Sequence, residues 1–171
     1  MRFLDEKQCA DWCHRYGYLT PSNLREAPSP ELYAQHKFNI PADSNNRIGL
    51  CRLLWGVTDG QVADRLLWIN QWSVWPSGEH MSLFTRWRAG FGETRTLIQA
   101  RGHQLEENDD EDGLSVLILA CLFLWDCWMY SEGGIIIELS HDEYGVLYEP
   151  RDVLLPERRA ALAEFGVLIN P

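Results

Sequence analysis

Apolar positions near the start of the chain recur with a helical period. Apolar side chains from Cys9 to Tyr16 follow the i, i+3, i+4, i+7 pattern, which predicts a helix over 5–16. Asp5 precedes this pattern as a suitable N-cap, and Gly17 follows it as a suitable end. We therefore expect the chain to begin with an amphipathic helix.

The middle of the chain changes from a polar connection to two apolar runs. Residues 17–47 are rich in Pro, Asn and Ser, and predict a long surface connection with one short strand near 38–40. Residues 48–57 and 66–75 each predict a strand, with the turn signal Asp59-Gly60 between them. The second run also fits a helix, because three tryptophans lie at helical spacing: Trp68, Trp72 and Trp75.

The last part of the chain alternates helical and strand patterns. It predicts a helix over 79–89, a strand over 94–99, a long helix over 112–129, strands over 135–140 and 144–149, and a helix over 156–165. Interspersed helices and an antiparallel strand pair indicate the α+β class. We predict one domain over 1–171, with a mixed or antiparallel sheet and about four helices packed against it.

Charge is distributed unevenly along the chain. The 171 residues have a formal net charge of −10. Residues 1–105 contain 12 basic and 10 acidic side chains, whereas residues 106–171 contain 3 and 15. An acidic protein repels phosphate backbones, so we expect no nucleic-acid partner and favour a basic protein instead.

Cysteine usage and hydropathy restrict the compartment and the cofactors. Five cysteines without framework spacing, after an N-terminus that lacks an apolar signal region, predict reduced thiols and a cytoplasmic protein. Cys9, Cys13 and His14 lack the second ligand pair of a structural zinc site, so we expect no metal and no other cofactor. The longest apolar stretch, 114–130, contains Asp126 and is too short to span a membrane.

Six acidic side chains occupy one seven-residue window, here named the acidic block: Glu106, Glu107, Asp109, Asp110, Glu111 and Asp112. About two or three carboxylates would suffice to stabilise the positive end of the following helix, with Asp110 or Asp112 as its cap. The excess predicts a docking surface for a basic partner, where charge accelerates encounter. A cation site is a third interpretation, although the block lacks the ligand alternation of an EF-hand loop.

A second polar cluster, Ser140-His141-Asp142-Glu143, lies between two predicted strands. Neighbours on a strand point to opposite faces, so these four residues cannot form a catalytic triad among themselves. A catalytic site needs distant partners, for which the candidates are Glu79, His80, His103 and Asp126. His103, His141 and one carboxylate would be suitable metal ligands. The structural interpretation is a polar turn in which Asp142 bonds its own backbone.

Two further side chains differ from their apolar surroundings. Asp126 lies within LFLWDCW and must be paired or face water; its candidate partners are Arg52, Arg86, Arg88 and His141. Trp75 lies at a predicted strand end before Pro76, where an exposed tryptophan would suit an interface anchor.

Several of these segments together resemble a family of small, uncharacterised bacterial proteins. LLWINQWSVWPS (66–77), a short helix with Arg88, Gly102-His103, LFLWD (122–126) and SHDEY (140–144) are similar in order to the family's Trp-Pro-Ser, Pro-Gly-His, Trp-Asp and Ser-His-Asp-Glu segments. The resemblance covers roughly 50–148, and Arg101 replaces the proline. It implies that six residues belong to one spatial feature: Trp75, His103, Asp126, His141, Asp142 and Glu143.

The sequence as a whole favours a non-enzymatic acidic binding protein. In size and charge it resembles bacterial immunity proteins, which occlude the active site of a toxin, so we expect a basic partner such as a nuclease. The acidic block would speed association and Trp75 would anchor the complex. Two alternatives are a metal-dependent hydrolase that uses His103, His141, Asp142 and Glu143, and a self-associating scaffold.

Overall fold

A seven-stranded sheet runs through the molecule and orders its other elements. The structure, a computed structural model, describes residues 1–22, 32–58, 64–72, 79–106, 108–131, 134–150 and 156–165. The strands are β1 (Arg2–Leu4), β2 (Tyr33–Asn39), β3 (Arg65–Gln71), β4 (Gly102–Leu105), β5 (Asp126–Ser131), β6 (Ile136–Leu139) and β7 (Tyr144–Pro150). They lie in the order β1-β4-β3-β5-β6-β7-β2, and every neighbouring pair is antiparallel.

The described residues also include five helices: α1 (Glu6–Arg15), α2 (Ser44–Val57), α3 (Glu79–Gly90), α4 (Asp110–Leu122) and α5 (Pro156–Glu164). The predicted α+β class is therefore confirmed, and the sheet is antiparallel throughout its described pairs. Within the described ranges, no helix is both long enough and apolar enough to cross a membrane.

One face of the sheet, here named the covered face, packs against four helices. Its apolar cluster joins strand residues such as Leu67 and Ile137 to side chains from the helices: Leu54 on α2, Phe84 on α3, Leu117 on α4 and Leu162 on α5. Directly opposed residues of neighbouring strands share a face. One such row therefore points towards the covered face: Phe3, His103, Leu67, Met129, Ile137, Leu147 and His36.

The opposite face, here named the open face, packs against α1. Cys9, Trp12 and Cys13 of this helix join a second apolar cluster with Leu66 and Tyr130 from the strands. The side chain of Asp5 accepts a hydrogen bond from the Gln8 N–H at 2.8 Å, and the Gln8 side chain accepts one from the Asp5 N–H at 2.9 Å. The predicted first helix and its cap are therefore confirmed.

The prediction of a strand over 48–57 is wrong, because these residues belong to α2. Asp43 caps the helix by accepting a hydrogen bond from the Asn46 N–H at 3.0 Å. Its buried side chains, including Leu50 and Leu54, recur at helical spacing. A short apolar run fits a buried helix as well as a buried strand, so the cap is the signal that separates the two.

The predicted helix over 112–129 is wrong in its second half. The helix α4 ends at Leu122, Leu124 adopts a left-handed conformation with φ of 52°, and β5 begins at Asp126. All residues of β5 are buried, because this strand lies inside the sheet with packed elements on both faces. A strand buried on both faces has a nearly continuous apolar pattern, which extends the apolar run of the helix without an obvious break.

Smaller differences concern the outer strands. Residues 94–99 form turns and bends instead of the predicted strand, and the short strand expected near 38–40 extends over Tyr33–Asn39. The strand predicted over 66–75 is confirmed as far as Gln71, and the turn at 59–60 lies outside the described residues. The predicted strand pair at 135–149 and the helices near 79–89 and 156–165 are confirmed.

Candidate functional site

A polar pocket of about 350 Å³ lies on the open face. It is lined by Gln35, Lys37, Asp126, Glu138, Ser140, His141, Asp142, Tyr144, Val146 and Tyr148, which come from β2, β5, β6, β7 and the turn between β6 and β7. Helix α1 lies nearest to β1 and β4, at the other side of the sheet, and its Trp12 ring reaches as far as Tyr130 on β5. The pocket therefore occupies the part of the open face over β6, β7 and β2, next to the Asp126 end of β5.

The strand register explains why these side chains meet. Glu138 on β6 lies opposite Val146 on β7, which lies opposite Lys37 on β2. Glu138 and Lys37 therefore point to the same face, with about 10 Å between their strands at the usual spacing. The pocket has carboxylates at its β5 and β6 side and an ammonium group at its β2 side.

Asp126 and His141 are joined by two hydrogen bonds at one end of the pocket. The Oδ1 atom of Asp126 accepts from the backbone N–H of His141 and from Nδ1 of its ring, both at 2.8 Å. Asp126 is 4 % exposed, whereas 29 % of the His141 side chain is exposed. These bonds fix both the backbone and the ring, and Nε2 lies 3.5 Å from Oδ1 of Asp142. His141, one of the partners predicted for Asp126, is thus hydrogen-bonded to it in the structure.

The backbone is left-handed on both sides of this pair. Leu124, two residues before Asp126, has φ of 52°, and Glu143, in the turn after His141, has φ of 63°. This conformation costs roughly 1 kcal/mol or more for a residue with a Cβ atom, so the surroundings must stabilise it. The Arg47 guanidinium donates to the Leu122 carbonyl at 3.1 Å and lies 3.6 Å from the Glu143 carboxylate. Arg47 therefore connects the end of α4 to the turn that positions the imidazole.

Glu138 is the second buried carboxylate of the pocket. It is 3 % exposed, and the Tyr148 hydroxyl donates to its Oε2 atom at 3.1 Å. Ser140, also buried, accepts from the Asp142 N–H through its hydroxyl at 3.3 Å and from the Glu143 N–H through its carbonyl at 3.2 Å. The Ser140–Glu143 segment is therefore a tight turn, with the Ser140 hydroxyl and carbonyl both stabilising it.

His103 does not belong to the pocket. It lies on β4, opposite Phe3 and Leu67, and points towards the covered face, where it is fully buried. Strand β4 is three strands from β6, or about 14 Å at the usual spacing. The predicted ligand set of His103, His141, Asp142 and Glu143 is therefore not assembled. The part of the chain that the structure describes contains no group of three or more His, Cys, Asp or Glu residues that could hold a metal.

The surroundings of His103 are those of a core residue. The rings of Phe3, Trp72 and Phe84 pack around its imidazole, and Nδ1 lies 3.4 Å from the Leu67 carbonyl oxygen. Burial, with a further contribution from the Arg88 cation, lowers the pKa of His103 to about 3. The imidazole is therefore neutral near pH 7 and packs as an aromatic side chain.

The acidic block lies at the opposite end of the strands from the pocket. Strand β3 runs from Arg65, which contacts the block, to Gln71, which lies opposite Asp126. Its length is about 20 Å at the usual rise per residue. The block and the pocket are therefore two separate surfaces.

Within the acidic block, two carboxylates have described ion-pair partners. Arg65 donates to Asp110 at 2.5 Å, and Asp109 lies 2.7 Å from the amino group of Met1. Asp109 is the N-cap of α4 without a side-chain bond to the helix, so the prediction that Asp110 or Asp112 caps it is wrong. The other described members are exposed or half-buried: Glu106, Glu111 and Asp112. Glu107 lies outside the described residues.

Three of the six residues that the family resemblance groups together lie at one site in the structure. Asp126, His141 and Asp142 line the pocket. Glu143 follows them in the turn but its carboxylate lies beside Arg47, and His103 is on the covered face. Trp75 lies outside the described residues, as do the side chains of Glu79 and His80.

Sequence reasoning misses six residues that line the pocket: Gln35, Lys37, Glu138, Tyr144, Val146 and Tyr148. Lys37 and Tyr148 reach the pocket through strand pairing, which no local sequence pattern predicts. Glu138 does have a local signal, since a charged residue within the apolar run IIIEL must be paired or face a polar space, as Asp126 does.

The fold and the pocket define an α+β protein with an antiparallel sheet, four helices on one face, and α1 together with a polar pocket on the other. Comparison of the chain with protein-family models gives no match, and neither do comparisons with curated proteins and with solved structures. The function is therefore inferred from the two surfaces described above.

Proposed function

We propose that this protein is a non-enzymatic binding protein whose partner is a basic protein. The acidic block supports this function, because Glu106, Asp110 and Glu111 are exposed together at the start of α4. Among the described residues, the ion pairs of the block are those of Asp109 and Asp110. The carboxylates of Glu106, Glu111 and Asp112 are therefore available to cations on a partner.

The charge of the block exceeds what its helix needs. Asp110, Glu111 and Asp112 occupy the first turn of α4, where each carboxylate is worth about 0.3–1 kcal/mol next to the positive helix end. Glu106 lies before the helix and adds repulsion between like charges. A docking role explains this excess, because a patch of one sign steers an oppositely charged protein and increases its association rate.

Bacterial immunity proteins provide the closest class of function by size and charge. A protein of this class would bind a basic toxin, such as a nuclease, and occlude its active site. We propose a partner of this kind for the acidic block, in the cytoplasm, and the product of a neighbouring gene is the first candidate to examine.

Co-expression tests this function directly. The neighbouring gene product should copurify with this chain and should lose its toxicity when this chain is present. If the two proteins neither bind nor show protection, the immunity function is contradicted.

Charge reversal tests the role of the acidic block in association. The double variant Glu106→Lys, Glu111→Lys should slow association about tenfold at low salt and flatten its salt dependence, as measured by stopped-flow mixing. The matched control, Glu6→Lys with Asp11→Lys, makes the same charge change on exposed positions of α1. Equal slowing in both variants would show that net charge, and not the block, determines the rate.

A further inference from the structure

We propose that a second pocket of this protein binds a small molecule with an apolar body and one carboxylate group. This pocket, here named the apolar pocket, has a volume of about 630 Å³ and lies between the end of β3, helix α3 and the segment 96–101. Among the described residues it shares no lining residue with the polar pocket, and the acidic block lies at the opposite end of β3. The docking function proposed above and this site are therefore separate, and neither proposal requires the other.

Most of the surface of the apolar pocket is formed by apolar atoms. Trp72 follows β3, Met81 comes from α3, and Leu97 and Ile98 belong to the segment before β4. Ile98 is 69 % exposed, so a ligand that covers this side chain removes apolar surface from water. A concave pocket of this size, mainly apolar with a few polar groups, is typical of sites for small organic molecules.

A cation lies at this pocket without a counter-charge. Arg101 is half-buried, and its Nη1 atom donates to the Asn70 carbonyl at 3.1 Å. Among the described residues, no carboxylate lines the pocket and none forms an ion pair with Arg101. This arrangement occurs in a chain whose net charge is −10. A guanidinium in partly buried, apolar surroundings favours a ligand that brings the missing negative charge.

The polar groups of the pocket also favour a ligand that accepts hydrogen bonds. The Nε atom of Arg101 and the Nε1 atom of Trp72, a residue that is only 9 % exposed, have no acceptor within the described part of the chain. The two threonine hydroxyls already donate inside the protein, Thr85 to the Met81 carbonyl at 2.8 Å and Thr96 to the Gln99 side chain at 2.9 Å. Because buried N–H groups are rarely left without an acceptor, a carboxylate suits this wall better than an ammonium group does.

Hydrogen bonds hold the segment that carries Arg101 in place. The N–H groups of Gln99 and Ala100 both donate to the Thr96 carbonyl, at 3.0 and 3.1 Å. The Arg101 carbonyl accepts from the Ile69 N–H at 3.1 Å, which ties the end of this segment to β3. A receptor whose groups are already fixed loses little conformational freedom on binding, so this segment favours affinity for a small ligand.

The first experiment compares three probes on the intact protein by NMR, at about 0.15 M salt. Octanoate has both an apolar chain and a carboxylate, 1-octanol has the chain without the charge, and acetate has the charge without the chain. Octanoate should bind saturably and at least about fivefold more tightly than 1-octanol, whereas acetate should show no saturable binding. Absence of saturable octanoate binding would overturn the proposal, and so would affinity of either other probe equal to that of octanoate.

Methionine methyl groups labelled with ¹³C locate the bound probe. The chain has three methionines, Met1, Met81 and Met129. Met81 lines the apolar pocket, whereas Met129 is fully buried in the sheet. Octanoate should therefore shift the Met81 signal more than the other two. A larger shift at Met1 or Met129 would place the probe elsewhere and contradict the assignment of the pocket.

Substitutions with opposite expected effects test the role of charge in the pocket. Arg101→Gln should weaken octanoate binding about tenfold and leave 1-octanol binding unchanged, which also shows that the pocket still forms. Gln71→Lys, at an exposed lining position, adds a cation and should strengthen octanoate binding about threefold, a result that a folding defect cannot produce. Arg52→Gln makes the same charge change as Arg101→Gln on the exposed surface of α2 and should leave both affinities unchanged.

Two results with Arg101→Gln would overturn the proposal: unchanged octanoate affinity, or equal weakening of octanoate and 1-octanol. Either would show that Arg101 does not recognise the carboxylate. The charge-reversal variant of Glu106 and Glu111 should bind octanoate normally, because salt screens charges that lie about 20 Å away. Failure of the docking proposal and failure of this one therefore give different results.

Discussion

The two faces of the sheet both contain buried polar side chains, but the surroundings of these side chains differ. On the covered face, His103 is sealed among aromatic rings, and its pKa falls to about 3 because burial disfavours the imidazolium. On the open face, Asp126 is almost as buried, yet it lines a pocket and bonds the partly exposed His141. Small exposure alone therefore does not separate a core residue from a site residue.

The difference follows from what packs on each face. Four helices contribute apolar side chains to the covered face, so a polar group there is surrounded and must remain neutral or paired. On the open face, α1 packs near β1 and β4 and reaches Tyr130 on β5, and the pocket lies over β6, β7, β2 and the Asp126 end of β5. The sheet is thus covered by helices on one face and leaves a polar pocket on part of the other.

The largest effect is expected where α1 meets the open face. Gly102 on β4 lies beneath this helix, and a Cβ atom at that position would collide with Sγ of Cys9 and approach the Leu4 Cβ atom to 3.0 Å. Gly102→Ala should therefore displace α1 and destabilise the protein by roughly 3 kcal/mol, measured by urea unfolding.

Gly56→Ala, in α2, is the matched control for this prediction. No atom lies within 4 Å of the added Cβ, and alanine favours the helix, so a gain of about 0.5–1 kcal/mol is expected. Equal stability of the two variants would mean that α1 does not pack tightly over Gly102.

The next largest effect concerns His103, the buried histidine of the covered face. The unfolded chain binds a proton at His103 below pH 6.5, whereas the folded protein does so only near pH 3. The neutral imidazole therefore contributes to the free energy of unfolding above pH 6.5, and this contribution is lost as the pH falls towards 3. Between pH 7 and pH 4.5 the loss from this residue should be about 2.5 kcal/mol. His103→Leu should remove that part of the pH dependence, as measured by urea unfolding over the same range.

His14→Gln serves as the control for the acid sensitivity, because His14 is exposed on α1. This variant should keep the pH dependence of the natural sequence. If His103→Leu keeps the same pH dependence of unfolding as well, the His103 imidazole accepts a proton in the folded protein and is less buried than its contacts indicate.

The sequence predicts the elements that have a local boundary signal. The first helix follows from the Asp5 cap and its helical period, and the pair β6 and β7 from two apolar runs around a polar turn. The helix α2 is predicted as a strand because a short apolar run fits both structures, and the boundary between α4 and β5 could not be placed because one apolar run continues across it. In such runs the tertiary surroundings, and not the local pattern, determine the structure.

The same reasoning applies to the pocket. Asp126 and His141 could be singled out because they are polar residues at unexpected positions, but the sequence could not show which partners they meet. The pairing of β7 with β2 brings Lys37 towards Glu138, and it joins segments more than 100 residues apart. The face on which His103 lies depends on strand register in the same way, because a shift of one residue moves a side chain to the other face.

The smallest effect concerns the pair at the end of the pocket and tests whether the open face positions its polar groups firmly. Asp126→Asn keeps the shape and one acceptor oxygen but loses the charge that strengthens both hydrogen bonds from His141. A loss of about 1 kcal/mol in stability is expected, together with faster hydrogen exchange of the His141 amide measured by NMR. The exposed Asp11→Asn on α1 should change neither quantity. Unchanged exchange in Asp126→Asn would mean that the carboxylate does not fix the turn, and the contrast between a sealed face and a pre-formed pocket would then be lost.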